Sequence, residues 1–146
     1  MRYAVGNPAQ NAAGAGEPIA VLWNPAGNPT QLRVTKIEVT GGTALKVSIA
    51  RTTTQGTRGA VSTPDTDNSF LRDGSPASGV TADRGNYSAT PTRETPDLFA
   101  GQMSGQNGTT IGWWFEEPIL VPAGTGLGVW TNTTSTAQSA CFEWEE

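Results

Sequence analysis

The chain contains no histidine and only one cysteine in 146 residues. Without His it lacks the usual general base near neutral pH, the usual triad and most zinc sites. A single thiol, Cys141, excludes an intrachain disulfide. With no His beside it, that thiol also lacks the activation a catalytic cysteine needs, and it reads as a small strand residue. Long apolar runs are missing too. Nothing approaches the ~20 residues of a membrane helix, and no signal-peptide pattern is visible at the N-terminus, so no membrane partner is expected. Positive charge is thin. The nine Lys and Arg are scattered from Arg2 to Arg93, and none follows. A formal net charge of −4 with no basic stripe argues against direct binding to nucleic acid.

Large aliphatic residues are also sparse, while Gly (18) and Ala fill much of the apolar count. The length fits one domain, but its core must be thin. Such a chain gains from burying surface against copies of itself.

What is present is strand punctuated by turns. Met1–Gly16, with Asn7-Pro8 and Asn11-Ala-Ala-Gly-Ala-Gly16, has little to bury and reads as an extended arm. A single domain follows over 17–146. Pro18-Ile-Ala-Val-Leu-Trp23 reads as a strand closed by the turn-rich Asn24–Pro29. In Gln31–Thr40, Leu32 and Val34 share one face, and Ile37 and Val39 join them only if a β-bulge near Thr35-Lys36 shifts the phase. Gly41-Gly42 reads as a hairpin turn into the alternating strand Leu45, Val47, Ile49. Residues 52–96 form a long excursion rich in Thr, Ser, Gly and Pro. Its length points to function or an inter-subunit role. Short strands are expected there near Gly59–Thr63 and Gly79–Asp83, with one more strand or a helical turn around Leu98-Phe99. Three strands close the chain at Thr110–Glu116, Gly126–Thr133 and Ser139–Glu145. Pro118 places the link after the first of them at a sheet edge or a crossing between sheets. The fold expected is all-β, a jelly-roll-like β-sandwich of two antiparallel sheets with about seven to nine strands.

Few residues carry chemistry. Asp65-Thr-Asp67-Asn-Ser69 with Asp73-Gly74 faintly matches a calcium loop, but it lacks the Gly at position six and the closing Glu, where Pro76 stands. An Asx-rich turn is the better reading, so no metal or other cofactor is expected. Glu116 and Glu117 are neighbours on a strand and point to opposite faces, which prevents a carboxylate pair. No Gly-rich phosphate loop appears. Asn107-Gly-Thr109 and Asn132-Thr-Thr134 read as turns. The chain is therefore not expected to be an enzyme. Its aromatics are more informative, because four of the five Trp residues lie after position 112. Ile111, Trp113 and Phe115 share one strand face and Trp114 points the other way; Leu127 and Val129 share a face and Trp130 opposes them. Trp is enriched at binding hot spots, so Trp114 and Trp130 are candidate interface residues, together with Trp113, Tyr3 and Arg2. The competing reading is that the excursion folds back and covers them. Stacking on sugar rings is a third.

Certain motifs also suggest a family. They are Arg2-Tyr-Ala-Val-Gly6, the paired Leu32-Arg-Val34 and Leu45-Lys-Val-Ser-Ile-Ala50, Ser62-Thr-Pro64, Glu117-Pro-Ile-Leu-Val-Pro-Ala-Gly124-Thr-Gly-Leu-Gly128, and the ending Glu143-Trp-Glu-Glu146. From about Glu17 onward the chain resembles small β-sandwich virion proteins of tailed phages, most like head decoration (cement) proteins. The resemblance implies a homotrimer on the outside of a capsid, assembled in the host bacterial cytoplasm. It would clamp neighbouring copies of the major capsid protein through multivalent contacts, with no catalytic residues. The alternative is a receptor- or glycan-binding head of a phage tail or fibre.

Overall fold

The computed structural model describes residues 2–6, 16–42, 46–58, 69–71, 80–84, 87–106, 108–132 and 137–146. Among them there are twelve strands and no helix. Eight form the frame: β1 (Arg2–Gly6), β2 (Pro18–Asn24), β3 (Leu32–Gly41), β4 (Lys46–Thr52), β9 (Phe99–Gln102), β10 (Thr109–Val121), β11 (Thr125–Thr131) and β12 (Gln138–Glu145). Four short ones come from the excursion: β5 (Thr57–Arg58), β6 (Ser69–Leu71), β7 (Thr81–Arg84) and β8 (Tyr87–Ala89).

Sheet one has the order β10-β3-β12-β1-β6 and sheet two β7-β2-β11-β4-β9, while β5 and β8 pair as a separate ribbon. Every pairing is antiparallel. Without β6 and β7, each sheet holds four frame strands, and the chain crosses between the sheets at nearly every connection. That is the jelly roll, a double Greek key. The described strands number twelve, more than the seven to nine expected, because β1 joins the fold and the excursion contributes several short strands. The excursion adds one strand to the β1 edge of sheet one and one to the β2 edge of sheet two.

The core lies between the sheets. Leu32, Val34, Ile37 and Val39 are all fully buried on one side of β3. Their common face requires a slip in register, and it is there: Glu143 pairs with Lys36 and Trp144 with Val34, leaving Thr35 as the extra residue. The bulge turns two out-of-phase apolar pairs into one core face. Val47, Ile49, Leu127, Val129, Ala140, Phe142 and Trp144 meet them from neighbouring strands. Asn24, fully buried at the end of β2, ties this end of the sandwich together. Its amide donates to the carbonyls of Thr30 (3.0 Å) and Val121 (2.9 Å). Its side-chain oxygen accepts from Asn28 Nδ2 at 2.7 Å. The adjoining turn needs Gly124, whose φ is +76° and whose N–H reaches the Asn24 carbonyl at 2.8 Å.

Two expectations are corrected. The N-terminus is not an arm over Arg2–Gly6, because that segment is β1, paired with β12 on one side and β6 on the other. Tyr3 and Val5 provide the reason: both are buried, and Tyr3 stacks on Trp144 with centroids 5.6 Å apart. Residues 7–15 lie outside the described ones. Gly41-Gly42 is not a hairpin turn. β3 and β4 lie in opposite sheets, so the chain there crosses the sandwich. Leu45, the Gly59–Thr63 strand and most of the faint calcium loop also lie outside the described residues. The strand expected near Gly79–Asp83 is β7, and Leu98-Phe99 leads into β9. β10 is an edge strand that runs through Pro118, with its register broken between Trp114 and Ile119.

Candidate functional site

The outer faces of the two sheets have opposite fates. On sheet two, Val21 and Trp23 point away from the core but are buried, and Tyr87 of β8 packs with them. Polar ties link the segments of the excursion to one another and to its own edge strand β7 beside this face. Gln55 Nε2 donates to Thr81 Oγ1 (3.1 Å) and to Asp83 Oδ2 (2.7 Å), and Thr54 Oγ1 accepts from the Thr92 N–H at 2.9 Å. Trp130 belongs to this covered face. It is 2% exposed, donates its indole N–H to the Gly16 carbonyl at 3.1 Å, and carries the Arg93 guanidinium 4.8 Å above its ring. Arg93 is itself held by Asp97 at 2.6 Å. Trp130 is therefore not an open interface residue, since its own chain covers it.

Sheet one has no such cover among the described residues. Pairing across β10, β3, β12 and β1 sets its outward residues in rows. The first is Leu120, Arg33, Glu145, Arg2; the next Trp114, Lys36, Glu143, Ala4; the third Gly112, Glu38, Cys141, Gly6. Charges of opposite sign are neighbours. Arg2 meets Glu145 at 2.8 Å, and Lys36 meets Glu38 at 3.1 Å and Glu143 at 3.2 Å. Burial alone would lower the pKa of the Lys36 ammonium, but hydrogen bonds to the two carboxylates outweigh it, and the pKa ends above the ordinary lysine value.

Trp114 stands out on this face at 67% exposed, the most exposed large apolar side chain among the described residues. Its indole lies along its own strand, and a Cβ added at Gly112 would come within 2.6 Å of the ring. Lys36 Nζ is 5.5 Å from the ring centroid. Beside it runs an open groove of about 620 Å³, lined by Trp114, Phe115, Arg33, Lys36, Glu116 and Glu143 among others.

A second apolar feature is the seam between edge strands β9 and β10. Phe99 packs on Phe115 with centroids 5.1 Å apart. Ile111 and Trp113 lie against Gly101, where an added Cβ would first meet the Ile111 Cδ1 methyl. Leu98 and Phe99 stay 37% and 36% exposed. Arg51, on β4, spans the two sheets here, donating to the Leu120 carbonyl at 2.6 Å.

The five candidate residues thus separate. Trp114 is open on sheet one, and Arg2 is exposed at the far end of the same face. Trp113 is half-buried in the seam. Tyr3, like Trp130, is corrected to a residue buried within the chain. The charge ladder was missed from sequence, although its trace was present: Lys36 and Glu38, like Glu143 and Glu145, stand two apart and so share a strand face. Among the described residues no cluster of His, Cys, Asp and Glu could hold a metal ion. Compared with family models, curated proteins and solved structures, the chain matches none of them.

Proposed function

We propose that this chain is a structural virion protein of the decoration type, a jelly-roll module that binds the outside of a phage capsid as a trimer and braces neighbouring capsid subunits. The motifs in β3, β4 and the β10–β12 region support the virion reading by resemblance. The observation that carries the attachment reading is the β9–β10 seam. Leu98 and Phe99 are more than a third exposed there, beside the half-buried Phe115, Trp113 and Ile111. Covering that strip removes apolar surface from water. A trimer with three such sites holds each at high effective concentration, so weak single contacts suffice.

The test combines light scattering with retention on capsids stripped of this protein. Wild type is expected to scatter as a trimer at micromolar concentration and to be retained. A Leu98→Asp, Phe99→Asp double variant should stay folded and trimeric but lose retention on the stripped capsids. A monomeric wild type that does not bind stripped capsids overturns the reading.

A further inference from the structure

We infer that the outer face of sheet one is a second binding site, for a neutral pyranose-containing polysaccharide, with Trp114 as the stacking platform. This face is distinct from the β9–β10 seam, and the inference does not depend on the capsid reading.

The first observation is the ring. A Trp two-thirds exposed in the middle of a long strand would ordinarily rotate freely. Here Gly112 leaves a space two residues earlier on the same face, and the indole lies in it. The indole is thus laid along the sheet with wide exposure. A flat aromatic surface of that kind matches the apolar C–H face of a pyranose ring, which packs on it while the hydroxyls point outward.

The second observation is charge. Arg2, Arg33 and Lys36 are the cations of this face, and Glu38, Glu143 and Glu145 its anions. Five of the six are joined in pairs within 3.2 Å. Glu116 also lines the groove, so the face has no excess of positive charge with which to select an anionic partner. It does present carboxylate oxygens and cationic N–H groups at close spacing, the acceptors and donors that pairs of vicinal hydroxyls use. A neutral, hydroxyl-rich ligand is complementary to both the ring and its flanks, and the groove beside Trp114, about 620 Å³, lies within the usual range for ligand clefts.

The third observation is rigidity. Trp114 and Lys36 are paired across β10 and β3, and Lys36 is anchored by two carboxylates. The platform is built on strands rather than on a loop, so little ordering is needed on binding.

The experiment is affinity electrophoresis of the full chain in gels containing dextran, galactomannan or agarose as neutral polysaccharides, with alginate and heparin as charged ones. Wild type should be retarded in at least one neutral gel and in neither charged gel. Trp114→Ala should weaken the retardation about tenfold, and Trp114→Phe should keep most of it. Because Trp114 is exposed, its melting temperature should be unchanged. The neutral polysaccharide that retards the protein should also protect its fluorescence from acrylamide, since Trp114 is the only Trp so open to a quencher. No retardation in any neutral gel, or equal retardation of Trp114→Ala, overturns the inference. If Trp114→Ala instead loses capsid retention while no gel retards the wild type, the face docks on protein and the glycan site falls. Loss of capsid binding in the seam variant with glycan binding kept would separate the two proposals.

Discussion

Two tryptophans lie over glycines two positions earlier, and the pairs differ in what covers the ring. At Gly128 an added Cβ would meet the Trp130 ring at 2.5 Å, and that ring is pinned by Gly16 and Arg93. At Gly112 the clash is with a ring open to water. Gly128→Ala is therefore expected to cost about 1–3 kcal/mol by overpacking. Gly112→Ala should stay within about 0.5 kcal/mol, because Trp114 can swing out. Denaturant unfolding of both variants checks this, and equal losses would contradict it. Lys36 gives a pH prediction. Its pKa is raised on folding, so its contribution is complete below the ordinary lysine value and is lost as pH rises through the higher folded value. The melting temperature of wild type should exceed that of Lys36→Met most at about pH 8, and the gap should narrow above about pH 10.5. A gap that widens there would reverse the assignment. Its size will be small, as for most partly exposed ion pairs.

At the scale of elements, β1 decides whether the N-terminus belongs to the fold. It is inserted between β12 and β6, and its Tyr3 and Val5 side chains enter the core. Deleting residues 1–6 removes both and leaves β12 and β6 without their common partner. The expected cost is above about 4 kcal/mol, comparable to truncating a large aromatic in a core. Thermal melting of the truncated chain should show a drop of more than about 10 °C, or no soluble protein. An unchanged melting temperature would show that β1 is dispensable. The excursion acts as an element too. Its short strands extend one edge of each sheet, and Gln55 ties its first segment to β7 at the edge of sheet two. Edge strands are exposed to unwanted pairing, and these additions move the edges onto short segments.

For the whole molecule, the asymmetry between the two sheets separates stability from association. Trp130 is covered within one chain, so its loss acts on folding rather than on assembly. Trp130→Ala is expected to cost about 3–5 kcal/mol. The shift in melting temperature should be the same across a hundredfold dilution. A concentration-dependent shift would mean that a second copy covers this face. The seam residues Leu98 and Phe99 should behave in the opposite way, affecting attachment to capsids and sparing both the fold and the trimer.

Local pattern alone determined the class of fold. Alternation in β3, β4, β11 and β12, with Gly and Pro between them, is a property of neighbours in the chain. Even the bulge at Thr35 was legible, because the apolar phase breaks there. The thin core and the opposed aromatics at Trp113 and Trp114 could be read in the same way. Which outer face remains open could not. Trp114 and Trp130 have the same local signature, Gly-x-Trp on an outward face, yet one is exposed and the other sealed. The difference comes from Gly16 and Arg93, 114 and 37 positions away from Trp130, which only the folded chain brings together. For the same reason β1 looked like an arm. Five residues with two large side chains bury little alone, and their place between β12 and β6 is set by pairing with strands more than sixty residues away. Periodicity reports which side of a strand is apolar, while the tertiary contacts decide what lies against the other side.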